Sequence, residues 1–302
     1  MKKIVIVAGT GFLGQVLAEY FQKFACEVVI FTRGKACIKN NIRYVTWNLH
    51  ELNGWEAVLE NAEVLINLAG KSVDCRYTPK NKAEILHSRV VSTQILNQAV
   101  AQCQNPPKHW LNASTATIYR HSEDLPMDEY TGEIGHDFSM DVAKRWEEAF
   151  FTTDTPKTKK TALRTSIVLG KNGGAFVPLK NLTKMGFGGK QGNGKQFVSW
   201  IHELDFARAV HYCIEQELTG VVNIVAPQPI RNAEFMKTLR KVLGIRVGTP
   251  LSKRMLAFGA KIIRTETELI LKSRNVIPKR LLEHGFEFLY GRLENALKEL
   301  KT

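Results

Sequence analysis

The chain has 302 residues, 44% apolar and 24% charged, enough for two ordinary domains or one large α/β unit with a real core. Its formal charge of +13 lies in short groups such as Lys157-Thr158-Lys159-Lys160 with no nucleic-acid-binding motif beside them, so an anionic small molecule suits it better than DNA or RNA. No apolar run approaches the roughly 18–20 residues of a membrane span, and five scattered cysteines without a Cys-x-x-Cys pair argue against metal or a disulfide framework and for a reducing cytoplasm.

The start, Met1–Ala8, looks a little like a leader segment with its two lysines, but its apolar run is short and breaks at once into a glycine turn, and Lys3–Ala8 reads as a first strand. In Phe12–Phe24, residues Leu13, Val16, Leu17, Tyr20, Phe21 and Phe24 recur at three and four, the period of an amphipathic helix. Glu27–Phe31, Arg43–Thr46 and Val64–Leu68 read as strands. Lys82–Cys103 reads as a long helix stopped by Asn105-Pro106-Pro107. Strand His109–Ala113, helix Asp137–Phe151 and strand Thr161–Val168 follow. This alternation predicts a doubly wound parallel sheet of the Rossmann type over residues 1–170, with helices on both faces.

Beyond Gly170 the texture changes. Glycine-rich stretches at Lys171–Gly174 and Gly186–Gly194 flank a helix over Phe176–Met185. Helix Glu203–Glu217, strand Val221–Val225, helix Asn232–Leu243 and a basic, helix-rich stretch Ser252–Thr302 come next. Residues 171–302 are expected to form a smaller substrate-binding cap whose elements partly rejoin the sheet. Gly186–Gln196, with Lys190 and Lys195, reads as a flexible basic loop at the mouth of the substrate site.

Gly9-Thr10-Gly11-Phe12-Leu13-Gly14 stands where the first strand turns into the first helix. A dinucleotide fold needs glycine at three such places: for the turn, for backbone approach to the pyrophosphate, and for helix–strand contact. The helix start adds unpaired N–H groups and the positive end of a dipole. Strand two ends at Phe31-Thr32-Arg33-Gly34 with no acid to take a ribose 2′-hydroxyl. Arg33 instead offers a fork to a 2′-phosphate, which favours NADP(H) over NAD(H).

With these come Asn67-Leu68-Ala69-Gly70, Ser88-Arg89-Val90, Ser114–Tyr119, Leu163–Gly170, Ser199-Trp200-Ile201-His202, Asn223–Phe235, and Pro278–Leu282 with Gly285-Phe286. In this order they make the chain resemble the extended or atypical short-chain dehydrogenase/reductase superfamily. Within it, the chain is most similar to epimerase-family proteins of the NAD-dependent epimerase/dehydratase type that carry their own C-terminal domain. The resemblance implies Asn67, Leu68, Ala69 and Gly70 along the adenosine and pyrophosphate, Asn48 and Leu49 near the adenine, and Arg76 closing over the cofactor.

The superfamily's chemistry uses a Ser or Thr, a Tyr, and a Lys four residues after the Tyr. By resemblance Thr115 matches the hydroxyl residue and Lys144 the Lys, if Trp146-Glu147-Glu148 anchors the helix. Met140 then stands where the Tyr belongs, and a thioether has no proton to transfer. Tyr119, His202 or a water held by Thr115 and Lys144 are the remaining proton sources. Two functions follow: an NADP(H)-dependent oxidoreductase or nucleoside-sugar-epimerase-like enzyme on a small anionic substrate, or a non-catalytic NADP(H)-binding redox sensor.

Overall fold

The computed structural model describes residues 2–48, 51–256, 266 and 268–302. In chain order the first half runs β1 (Lys3–Val7), α1 (Phe12–Gln22), β2 (Glu27–Thr32), β3 (Cys37–Lys39), β4 (Ile42–Thr46), β5 (Val64–Asn67), α2 (Pro79–Gln102), β6 (His109–Thr115) and α3 (Phe138–Phe151). Then come β7 (Lys159–Thr165), β8 (Ile167–Leu169), α4 (Phe176–Leu182), β9 (Phe197–Val198), β10 (Trp200–His202), α5 (Glu203–Glu215), β11 (Gly220–Ile224), β12 (Ile230–Arg231) and α6 (Asn232–Leu243). Short helices at Glu268–Leu271, Lys279–Glu283 and Leu293–Lys301 follow.

Successive side chains of a strand point to opposite faces, and here both sets are apolar. Ile4, Ile6, Val28, Ile30 and Ile66 enter one layer with Leu17 and Phe21 of α1 and Phe206 and Val210 of α5. Val5, Val7, Val29, Phe31 and Leu65 enter the other with Leu96 and Val100 of α2 and Phe150 of α3. A sheet so buried must carry helices on both faces.

The strand order is β11-β7-β6-β5-β1-β2-β4-β3, parallel except for the β3 edge. From β1 the chain builds outward through β2 and β4, then crosses back to lay β5 on the other side of β1. The loops leaving β1 and β5 therefore part at this switch point, where open α/β sheets receive ligands.

Three elements differ from the sequence reading. The edge strand β3 was not anticipated: its residues are exposed, and it pairs with β4 through Asn40 and Asn41, both at positive φ. Such asparagines close a tight hairpin. The sixth strand breaks at Ser166, and β8 leaves the sheet to pair with β10. The Phe176–Met185 helix stops at Leu182 and widens into a looser turn, Thr183–Phe187, with Gly186 at φ 90°. Beyond residue 170, β11 joins the main sheet beside β7, while Phe176, Trp200, Phe235, Leu239, Leu297 and Leu300 form a further core.

One buried histidine gives the fold a pH dependence. Thr161 donates its hydroxyl proton to the Leu218 carbonyl, so His109 Nε2, 2.7 Å from Thr161 Oγ1, must be the donor. His109 Nδ1 is then a bare acceptor, buried without a partner among the described residues. Burial, helped by Lys159, pulls the His109 pKa to about 4. The unfolded chain takes up this proton near pH 6.5 and the folded one only near 4, so stability falls as pH drops through that window. The loss reaches about 3 kcal/mol. Melting temperature is expected to fall more steeply between pH 6.5 and 4 in the wild type than in His109→Gln; equal slopes would contradict the assignment.

Candidate functional site

The turn after β1 is shaped for something to lie on it. A Cβ on Gly14 would stand 2.3 Å from Gly9 Cα and 2.4 Å from the Gly9 carbonyl oxygen, so only glycine lets α1 close on the turn. A Cβ on Gly9 would meet Ile6 and Ile30 at 3.0 Å. Around Gly11 the reverse holds, for nothing lies within 4 Å of its Cβ position. Gly11 caps α1 without a side-chain bond, leaving the first-turn N–H groups directed past an open position. Gln15 Nε2 donates to the Gly9 carbonyl at 2.7 Å and pins the turn from behind. Thr10 is exposed, and Phe12 and Leu13 are half-buried. A dinucleotide pyrophosphate fits this cradle.

The neighbouring strand ends complete the floor. Thr32 Oγ1 accepts from Gly34 N at 3.0 Å, which turns the chain so that Arg33 is exposed; among the described residues Arg33 has no ion-pair partner. Lys35, two residues on, is exposed as well. Asn67 is fully buried: its amide nitrogen donates to Asn112 Oδ1 at 2.7 Å, and its oxygen accepts from Ala69 N at 3.0 Å. That pair fixes Leu68, Ala69 and Gly70 at the end of β5, with Gly70 exposed. Asn48 follows β4 and bonds Glu51. Leu49 lies outside the described residues. Arg76 reaches Glu266 at 3.5 Å.

Each of the expected catalytic residues is bonded to another residue of the chain. Thr115 ends β6 half-exposed, its hydroxyl 3.0 Å from that of Thr117. On α3, Ala143 packs with Ala116 and Tyr119. Lys144, the next residue, pairs with Asp141 at 2.7 Å. Tyr119 is also corrected as a proton source: it is fully buried, donates to Asn223 Oδ1 at 3.0 Å and accepts from Arg164 at 2.9 Å. Burial raises its phenol pKa. His202 is corrected likewise. Its Nδ1 accepts from Leu204 N at 3.1 Å, capping α5, and its Nε2 lies 2.8 Å from Glu299. Met140 is buried, its sulfur against Gly135.

The basic loop is corrected too. Gly189 packs on the Thr249–Pro250 backbone, Gly192 N donates to the Leu251 carbonyl at 2.8 Å, and Gln191 N donates to Asn232 Oδ1 at 2.8 Å. Lys190 and Lys195 are exposed, but on a tied loop rather than a flexible one.

Sequence reasoning missed the buried network behind β6. Glu147 accepts from Arg164 Nε at 2.8 Å and Nη2 at 2.7 Å, and from Ser114 at 2.5 Å. Burial alone would pull the Arg164 pKa down; its bonds to Glu147 outweigh this and hold it above the usual value. Arg89 was quoted only as part of a motif. It sits on the buried face of α2 with Ile85, Ser92 and Thr93, and a charge at that helical phase was a legible signal.

A doubly wound sheet with an open glycine cradle at its switch point defines a dinucleotide-binding protein of the Rossmann class. A family model, the NAD dependent epimerase/dehydratase family, matches residues 4–225, and a domain of unknown function (DUF1731) matches residues 257–300. The epimerase family protein YfhF of Bacillus subtilis (strain 168) is 32% identical over 302 residues, covering 98% of this chain and 97% of that protein. The epimerase family protein SDR39U1 of Homo sapiens is 30% identical over 304 residues, covering 99% of each. The crystal structure of human SDR39U1 (isoform 2) with NADPH superposes with a TM-score of 0.86 at 29% identity, covering 99% of this chain and 98% of that one. The chain belongs to the NAD dependent epimerase/dehydratase family.

Proposed function

We propose that the protein binds NADP(H) at Gly9–Gly14 and acts as an NADP(H)-dependent oxidoreductase or epimerase on a small anionic substrate. The observation that carries this reading is the cradle itself: Gly14 closed against Gly9, Gly11 open, and the α1 start uncapped. Bound there, NADP(H) supplies a hydride donor or acceptor. The open side of Gly11 and the first-turn N–H groups receive the pyrophosphate. Arg33, with Lys35 beside it, takes the 2′-phosphate. Thr115 orients the substrate oxygen. The NADPH complex of the human relative supports the choice of cofactor. The five free cysteines accord with a cytoplasmic setting.

Arg33→Asp puts a carboxylate where the 2′-phosphate would lie. It is expected to reverse the preference, weakening NADPH by at least about tenfold while sparing NADH. An unchanged ratio of the two affinities, measured by calorimetric titration, would remove Arg33 from the site.

A second reading, a redox sensor that binds NADP(H) without turnover, is favoured by one set of observations. Met140 has no proton, Lys144 is paired with Asp141, and Tyr119 and His202 are committed to internal bonds. Nicotinamide absorbance in NADPH mixtures with small oxo-acids and sugar nucleotides separates the two. The enzyme reading expects turnover that Thr115→Ala abolishes; tight NADPH binding with no oxidation across the panel supports the sensor.

A further inference from the structure

Among the described residues two sheltered arginines, Arg89 and Arg274, have no carboxylate within ion-pair distance. The guanidinium of Arg89 lies against Gly70, where a Cβ would stand 3.1 Å from its Cζ, and 5.0 Å over the Trp146 ring. One of its nitrogens serves the Lys71 and Ile85 carbonyls, at 3.0 and 2.9 Å. Arg274, on the segment after helix Glu268–Leu271, buries its Nη1 with no partner among the described residues. Tyr77 stands within electrostatic range of both guanidinium groups, and its hydroxyl bonds Ser139.

The acids nearby are already engaged. Asp137 caps α3 through Met140 N at 3.2 Å and pairs with Lys272. Glu268 takes Lys272 at 2.9 Å and Ser139 at 2.8 Å. Glu84 pairs with Lys71, and Glu266 with Arg76. Residues 1, 49–50, 257–265 and 267 include no Asp or Glu; Asp137 and Glu268 act on Arg274 only at longer range, through charge rather than contact. Burial pulls the Arg89 guanidinium down to about 10 and lowers that of Arg274. A sheltered cation with no acid in contact costs stability, and a buried polar atom without a partner calls for an explanation such as a ligand.

We propose that Arg89, which lies against Gly70, and Arg274 are the two arms of an anion site around Tyr77 that takes the carboxylate or phosphate group of the substrate, with the Tyr77 and Ser139 hydroxyls at its edge. Guanidinium forks match the paired oxygens of either group. The proposal rests on the reading of a substrate cleft next to bound NADP(H). It assigns the anion recognition to these arginines rather than to Lys190 and Lys195.

The test is calorimetric titration of inorganic phosphate, and separately of malonate, into the NADPH-loaded full chain. NADPH fills the Gly9–Gly14 cradle, so a second anion reports another site. Saturable binding of either probe is expected, and the tighter one identifies the group recognised. Arg274→Met and Arg89→Lys should each weaken it at least tenfold, with NADPH affinity within about twofold of the wild type. Arg274→Met should melt within a few degrees of the wild type, because the buried Nη1 it removes has no bond to lose and the pull of Asp137 and Glu268 acts only at longer range, and phosphate should no longer raise its melting temperature. The proposal is overturned if the wild type binds neither probe, or if the variants bind as the wild type does. A fall of several degrees in Arg274→Met with phosphate affinity intact would assign that arginine to packing instead. Should NADPH itself not bind, the cofactor reading fails, and the same titrations into protein without NADPH still decide the role of the two arginines.

Discussion

Gly14→Ala is expected to lower the melting temperature by several degrees, whereas Gly11→Ala, three residues earlier, is expected to leave it nearly unchanged and still weaken NADPH binding. The added methyl at Gly14 would stand 2.3 Å from Gly9 Cα, and backbone cannot swing aside as a side chain can. Overpacking of this kind costs about 1–3 kcal/mol. The same methyl on Gly11 meets nothing within 4 Å, and Gly11 has φ −79°, open to any residue. The cost to the fold is then only that of Ala for Gly at a helix N-cap, under about 1 kcal/mol. The methyl does occupy the space a pyrophosphate needs, so the NADPH dissociation constant should rise at least about tenfold. Thermal melts without cofactor, paired with NADPH titrations, separate the two effects. If Gly11→Ala binds NADPH as the wild type does, the open position is not where the cofactor lies.

The second large effect belongs to Glu147. Its carboxylate is buried between α3 and the sheet and accepts from two Arg164 nitrogens and the Ser114 hydroxyl. Glu147→Ala would leave Arg164 buried and unpaired, a loss of about 3–5 kcal/mol. The double variant Glu147→Leu, Arg164→Met removes both charges and should recover most of it. Urea denaturation measures both. A single-variant loss below about 1 kcal/mol would show the pair to be solvated and of little consequence. Ser114 and Thr115 end β6, so the pair also holds the strand end on which the proposed hydroxyl residue stands.

What the sequence made legible follows from how locally each feature is determined. The buried strands carry unbroken Val/Ile runs, and α1 and α3 carry an apolar stripe. Periodicity and the β–α alternation therefore reach the doubly wound sheet. The glycine cradle was legible because each glycine answers a backbone requirement within six residues. The failures are tertiary. The apolar stripe of α3 marks Met140, Ala143 and Trp146 as its buried face but does not tell what Lys144 beside it bonds, and in the structure that lysine pairs with Asp141. Tyr119 and His202 looked available because their partners, Asn223, Arg164 and Glu299, lie 45 to 104 residues away in sequence. The Gly186–Gln196 loop looked flexible by composition, but its bonds run to Asn232 and Leu251. Arg89 was the nearest miss: the helical phase of Ile85, Ser92 and Thr93 already marked it as a charge on a buried face.

The central claim is that the turn after β1 binds NADP(H) and that the end of β2 reads the 2′-phosphate. Side-by-side calorimetric titration of the wild-type protein with NADPH and NADH tests it most directly. Binding of NADPH at least about tenfold tighter than NADH is the predicted result; equal affinities, or no binding of either, would contradict it.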